Sequence, residues 1–374
     1  MAAPGSSRLV ALDLLRGLAV LVMIQTHALV LLAPGARAGL LFSWVVRLDG
    51  LVAPAFLLAA GFSLALVQVD ASGPWRRAAG RSALRILEVL LAASLVNAAW
   101  FPIAQAPRYL LRIDILHCVG LSLALLLPLA VAARHRPAVL RWASLALGVA
   151  LLAVAPLAEG VTGPWSLVLD NRPGFLDAGV GAVFPLLPWS GYVFLGASLG
   201  SFGASADAAP GRRAWRLWLA ALGFAAWCFQ DQLALVYPPH QFWVTNPANA
   251  AQRVVLVLLG LGGLERLQAR LPARWTHALS WLSAASLPVY VFHQLLLFEG
   301  HVGVFARLFR DRAGAGLYLV LLAALIAATV ACTLAWRGLV QRLTSAARPR
   351  SASSPTRSWA PRPTAGAPPP SHPG

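Results

Sequence analysis

Two residues with chemical potential stand in an otherwise apolar stretch near the start of the chain, ALDLLRGLAVLVMIQTHAL (11–29). They are Arg16 and His27, eleven residues apart. Eleven residues make close to three helical turns, so on a helix they share one face and lie about 16 Å apart along the axis. Asp13, three residues before Arg16, falls beside it on that face. Titratable side chains are costly in lipid and turn towards a bundle interior or a water-filled cavity. A histidine there suits proton transfer near neutral pH, and a guanidinium suits pairing with phosphate. Later segments carry polar groups of the same kind. RIDILHCVG (112–120) gathers Arg112, Asp114 and His117, and LSAASLPVYVFHQLLLFEG (282–300) places Ser286, Tyr290 and His293 on one helix face, with Gln294 adjacent. FPLLPWSGY (184–192) adds Pro188 and Trp189, and PPHQFWVTNPANAAQR (238–253) adds His240, Trp243, Asn246 and Asn249.

The elements that must position these groups follow from composition. Of 374 residues, 59% are hydrophobic and 11% charged, with a mean hydropathy of +0.70, whereas soluble domains keep roughly a quarter of their residues charged. The expectation is an all-α, polytopic transmembrane helix bundle. With about 20 apolar residues per crossing, ten spans are expected, near 9–33, 49–69, 82–101, 113–133, 139–157, 181–202, 215–236, 251–267, 279–299 and 315–340. The net charge of +17 comes from arginine, there being no lysine, and concentrates between the spans. This is not the pattern of a nucleic-acid binder. Arg76, Arg77 and Arg81, then Arg134, Arg136 and Arg141, then Arg212, Arg213 and Arg216, then Arg266, Arg270 and Arg274 occupy alternate gaps, which places both termini in the cytoplasm. Arg307, Arg310 and Arg312 break the alternation, while Glu159, Asp170 and Asp177 against Arg172 fit an outer gap.

The domain plan is a short cytoplasmic N-terminus (1–8), a membrane domain (9–345) and a Pro/Ser/Arg-rich tail (346–374) with too little apolar surface to fold. No signal-peptide cleavage pattern is evident. Cys118, Cys228 and Cys332 are far apart in apolar runs and read as three small buried residues, not a disulfide or metal set. Gly196 and Gly200 read as small-xxx-small helix packing. His240, His277 and His301 read as solvated loop histidines, and Trp189 fits an interfacial anchor. His27 and His293, at matched depth on different spans, favour function over a purely structural pairing.

The first segment, with its Asp-x-x-Arg-Gly core and the Arg16-x10-His27 spacing, resembles the signature of membrane-bound acyltransferases related to heparan-alpha-glucosaminide N-acetyltransferase and to the acyltransferase-3 group. LDGLVAPAFLLAAGFSLAL (48–66), LRIDILHCVGLSLAL, FPLLPWSGYVFLGASLG and LSWLSAASLPVYVFHQLLLF are similar to the glucosaminide branch, in the same order, so the resemblance covers roughly 8–300. The lysosomal enzyme of that branch carries its catalytic histidine in the loop after the first helix, and residues 34–50 contain none. His27 follows the acyltransferase-3 pattern instead, so the acceptor is not inherited from that enzyme.

The resemblance implies a transferase that takes an acyl group, here acetyl, from acetyl-CoA at the cytoplasmic face and passes it to an acceptor, a glycan by analogy, at the outer face. Arg16 is then associated with the donor, with Asp13 beside it, and His27 with acyl transfer. In a mechanism of that kind His27 removes a proton from the incoming hydroxyl or amine, with Asp114 as its orienting partner. His117, Tyr290 and His293 serve as oxyanion donors or acceptor ligands. Direct transfer and an acyl-histidine route both fit, and no metal is implied. The partners are the lipid bilayer and a small-molecule acceptor, with a homo-oligomer among the options. Arg- and Ala-rich usage without lysine points to a high-GC bacterial source and its inner (plasma) membrane. The rival reading is a transporter or flippase that uses the same buried groups and ignores CoA.

Overall fold

The structure is a computed structural model that describes residues 9–100, 112–159, 183–205, 207–298 and 303–346. Asp170, Arg172, Asp177, His301 and most of the C-terminal tail lie outside the described residues. The secondary structure is helical, with one isolated bridge between Leu32 and Ala313. In chain order the helices are α1 (Val10–Ala28), α2 (Leu40–Asp49), α3 (Val52–Val69), α4 (Trp75–Trp100), α5 (Ile115–Ala132), α6 (Pro137–Val154), α7 (Leu186–Gly200), α8 (Ala209–Cys228), α9 (Gln230–Val236), α10 (Phe242–Thr245), α11 (Pro247–Leu267), α12 (Ala273–Ala284), α13 (Ser286–Leu297), α14 (Phe305–Phe309) and α15 (Ala315–Ala346).

Among the described residues, seven helical stretches are long and apolar enough to cross a membrane, and α8 with α9, bent by 70°, is either a broken eighth span or a re-entrant loop. The chain is therefore an integral membrane protein. Two of the ten expected spans fall short of the ruler. The sixth is only the 15-residue α7, which starts behind Pro185 and carries non-helical Leu187 before Pro188. The ninth is broken at Ala285 into α12 and α13, with Pro288 in the first turn of the second piece, where its missing N–H is tolerated. Its contacts show a change of course. Leu279 meets Gly17 and Ser283 meets Asp13, so α12 advances towards the N-terminus of α1, whereas α13 carries His293 to His27 near the other end. The eighth, expected from 251, starts earlier behind Pro247, where the Asn246 side chain caps the helix by accepting from the Ala248 and Asn249 N–H groups.

Glycines set the closest helix contacts. A Cβ on Gly61 of α3 would lie 1.8 Å from the Val193 carbonyl oxygen of α7. One on Gly196 or Gly200 of α7 would lie 1.9 or 2.2 Å from the Leu58 or Phe62 oxygen of α3. The small-residue pattern at 196 and 200 is thus a backbone-to-backbone seam. Gly17 does the same for α1 against Leu279 of α12. Several gap arginines have a second use beyond topology. Buried Arg134, after α5, donates to the Ala71 and Gly73 carbonyls at 2.9 and 3.1 Å and ties the turn between α3 and α4, and Arg212 donates to the Gly203 and Ser205 carbonyls at 2.5 and 3.2 Å, tying the turn before α8. Only Cys118 of the three thiols is buried. Cys228 is exposed where α8 ends and Cys332 is half-buried, because those apolar helices face outwards there.

The buried apolar residues form two clusters. One joins the N-terminal half of α1 with α3, α5, α6, α7, α8 and α11; the other joins its C-terminal half with α12, α13 and the start of α15. Phe56 and Ile115 pack against both, and both line a cavity at the seam. Contacts separate residues 334–374 from the rest as a second unit. Its described part is the helical end of α15, which exposes Leu334, Trp336, Leu339 and Leu343.

Candidate active site

The seam cavity encloses about 720 Å³ and runs beside α1 from Asp13 and Arg16 to Thr26 and His27. The two residues singled out by spacing therefore line one continuous space, about 16 Å apart along the helix. Asp114 of the α5 entry and Tyr290 of α13 also line it. Ser283 donates to an Asp13 carboxylate oxygen at 3.1 Å, holding the N-terminal end of α1 against α12.

At the far end the imidazoles of His27 and His293 meet, Nδ1 to Nε2, at 2.8 Å, their rings nearly parallel with centroids 5.1 Å apart. Their hydrogens follow from a third contact. Nδ1 of His293 lies 3.0 Å from the Val289 carbonyl oxygen, which only accepts, so Nδ1 carries the hydrogen. In the neutral ring Nε2 of His293 is then an acceptor, and Nδ1 of His27 donates to it. Nε2 of His27 is left with its lone pair. The Gln294 side-chain amide stands 3.2 Å from the same Nδ1, and its Oε1 is otherwise buried without a partner. Turning the amide so that Oε1 faces Nδ1–H removes a donor–donor clash and lets that one hydrogen be shared between His293 and Gln294. His293 is completely buried and lies outside the cavity lining, whereas His27 is half-buried and faces it. Phe298 packs edge-on against the His27 ring at 5.8 Å, backed by Trp100 at 4.7 Å.

Asp114 is not the partner of His27. It is the N-cap of α5, where Oδ1 accepts from the His117 backbone N–H at 3.0 Å and from His117 Nδ1 at 2.9 Å. Its Oδ2 takes a longer contact from the Tyr290 hydroxyl at 3.5 Å. His117 sits buried behind this carboxylate, out of the lining. Tyr290 stacks edge-on against His293 at 5.3 Å, so the Asp114 group touches the histidine pair through Tyr290. Both nitrogens of His293 and the Tyr290 proton are committed to these contacts, which leaves them without a donor for an oxyanion in this arrangement.

Arg112, Ser286 and Gln294 also line the cavity, whereas Trp189, His240, Trp243, Asn246 and Asn249 separate from it. Trp189 is buried among Phe184, Tyr192 and the Arg253 guanidinium, with Pro188 before it in a cis peptide. His240 donates from Nδ1 to the Pro238 carbonyl and accepts from Asn246 at 2.9 Å, and Asn249 donates to the Trp243 carbonyl. These groups build the start of α11. The cavity draws instead on Arg85 and Asn97 of α4, and on Asp49, the last residue of α2. Sequence reading passed over Asp49 because it sits where one apolar run meets the next. Among the described residues no group of three His, Cys, Asp or Glu side chains is placed to hold a metal ion.

The family described as heparan-alpha-glucosaminide N-acetyltransferase, catalytic, matches residues 8–241. The chain belongs to this family. The match covers α1 to α9, including Arg16, His27, Asp49 and Asp114; α13 with His293 lies beyond it. No curated protein matches the chain. As a family member it is a membrane acyltransferase, with the transferase class carried by the family and the membrane location by its own helices.

Proposed function

We propose that this protein transfers an acetyl group from acetyl-CoA, entering at the Arg16 end of the cavity, to a hydroxyl or amine acceptor, a glycan by the family analogy, at the His27 end. The observation that supports this most is the single cavity lined at one end by Arg16 and at the other by a histidine whose Nε2 bears a lone pair. The arginine asymmetry of the gaps favours a cytoplasmic position for the Arg16 end, on the side where CoA is found. A guanidinium there suits a CoA phosphate, and a separation of about 16 Å suits the extended arm that ends in the thioester.

At the other end, Nε2 of His27 takes the proton of the acceptor O–H or N–H as its heavy atom attacks the thioester carbon. The C–S bond breaks, the CoA sulfur leaves as thiolate, and the proton on His27 neutralises it. His293 holds the His27 ring in the tautomer that keeps Nε2 basic and stabilises the imidazolium formed on proton uptake, acting as a positioning residue.

The test is thioester cleavage by the purified protein in detergent, following free CoA from acetyl-CoA. Wild type is expected to release CoA slowly to water, and His27→Ala to lose at least 100-fold, the low end of what a positioned general base contributes. Wild type that neither cleaves nor binds acetyl-CoA would refute the transferase reading and leave the same cavity to a transporter.

A further inference from the structure

One face of α4 runs the length of the cavity. Ser82, Arg85, Val89, Val96 and Trp100 line it at helical spacing, and Arg85 is the charged residue among them. Trp100 marks the His27 level, because Phe298 packs edge-on against both rings. Arg85 is fifteen residues back along the helix from Trp100. That is about 22 Å, whereas Arg16 stands about 16 Å from His27, so Arg85 lies about 6 Å farther from the histidine level than Arg16 does.

The cavity opens at this end. Of its described lining residues, Val67, Arg85 and Ala284 are exposed. Val67 is near the end of α3, and Ala284 follows the Ser283 that meets Asp13, so these exposed positions belong to the Arg16 end. Arg76, Arg77 and Arg81, earlier on α4, lie outside the lining. Arg85 donates from one Nη to Glu88 at 2.7 Å, with the two side chains 61% and 57% exposed. An ion pair so exposed contributes little, and it occupies one nitrogen of a guanidinium that has five N–H groups. A phosphate can share that guanidinium or displace Glu88 from it.

CoA carries its phosphates in a fixed order from the thioester. The pyrophosphate follows the pantetheine arm, and the ribose 3′-phosphate comes after it. With the thioester at His27, Arg16 and then Arg85 meet these groups in the same order. We infer that Arg85 is a specificity residue for the donor: it receives the 3′-phosphate, while Arg16 faces the pyrophosphate. A phosphate monoester is close to a dianion at neutral pH, and the planar guanidinium gives it two parallel N–H bonds. This assignment rests on the transferase reading.

The experiment compares acetyl-CoA with acetyl-3′-dephospho-CoA, which lacks only that phosphate, as donors for the full-length protein in detergent, with the released thiol as the readout. Wild type is expected to show a KM for the dephospho donor about three- to tenfold higher, the range from an exposed ion pair to a charge-assisted hydrogen bond. Arg85→Gln is expected to raise the KM for acetyl-CoA by the same factor, to leave that of the dephospho donor within about twofold, and to keep kcat. Arg16→Gln is expected to raise the KM of both donors together, since both carry the pyrophosphate.

Equal KM values for the two donors in wild type would overturn the assignment, and that comparison needs no variant. A loss in Arg85→Gln that falls equally on both donors would overturn it too, leaving Arg85 as general positive charge at the mouth. An unchanged acetyl-CoA KM in that variant would reduce Arg85 to a topology determinant. In each of these cases His27-dependent thioester cleavage still stands, so the transferase reading survives. Absence of any thiol release by wild type from either donor strikes that reading and takes the assignment with it.

Discussion

Replacing His293 with alanine should slow the reaction without weakening donor binding. The ring accepts from His27 Nδ1 at 2.8 Å and is itself fixed by the Val289 carbonyl at 3.0 Å. In the resting enzyme that bond joins neutral partners. When His27 takes a proton it becomes charge-assisted, and a hydrogen bond to a charged group contributes about 1.5–3 kcal/mol. Its loss falls on the transition state, so kcat should drop roughly 10- to 100-fold at about 1.4 kcal/mol per decade. The Gln294 amide, 3.2 Å from the same nitrogen, keeps the fall towards the lower figure. Because His293 lies outside the cavity lining, the KM for acetyl-CoA should stay within about twofold. His293→Gln, whose Oε1 can take the place of Nε2, should recover part of the loss. The assay is steady-state CoA release after a size-exclusion check that each variant is folded. A kcat within threefold of wild type for the alanine variant, an effect mainly on KM, or a glutamine variant no better than alanine would refute the positioning role.

Arg16→Gln should raise the KM for acetyl-CoA about tenfold or more while kcat at saturation changes little. Arg16→Lys should recover only part, since an ammonium lacks the planar fork that matches a phosphate; kinetics at two ionic strengths check both. Gly61→Ala should lower the unfolding temperature in detergent, because its Cβ would sit 1.8 Å from the Val193 carbonyl oxygen and such overpacking costs about 1–3 kcal/mol. Gly260→Ala, with nothing within 4 Å of the added carbon, should be neutral or slightly stabilising by helix propensity.

What could be read from the chain alone was what a single helix determines. The Arg16–His27 stripe needs only the helical repeat, and both residues do line one cavity. The shared face of Ser286 and Tyr290 is likewise local, and both line that cavity. The pairing of His27 with His293 depends on how α13 turns after Ala285, which hydropathy does not register, whereas a carboxylate is the common orienting partner of a histidine and points to Asp114. Local chemistry claimed Asp114 first, because an aspartate just before a helix is an N-cap. His240, Asn246 and Asn249 had the same fate, since a Pro-rich turn before α11 uses their polar groups to begin that helix. The break at Ala285 and the short α7 were invisible to a 20-residue ruler that counts apolar residues and ignores direction.

The histidine pair ends at the Val289 carbonyl, and that terminus sets a boundary on the whole reaction. A peptide carbonyl accepts a hydrogen bond but does not take up the proton, so a proton collected at Nε2 of His27 has no onward relay through His293. It is held in a cul-de-sac. It leaves by the side on which it arrived, with the departing thiol or with water in the cavity. In the proposed reaction each turnover would therefore close within one chamber, since among the described residues the hydrogen-bond chain through His293 stops at the Val289 carbonyl.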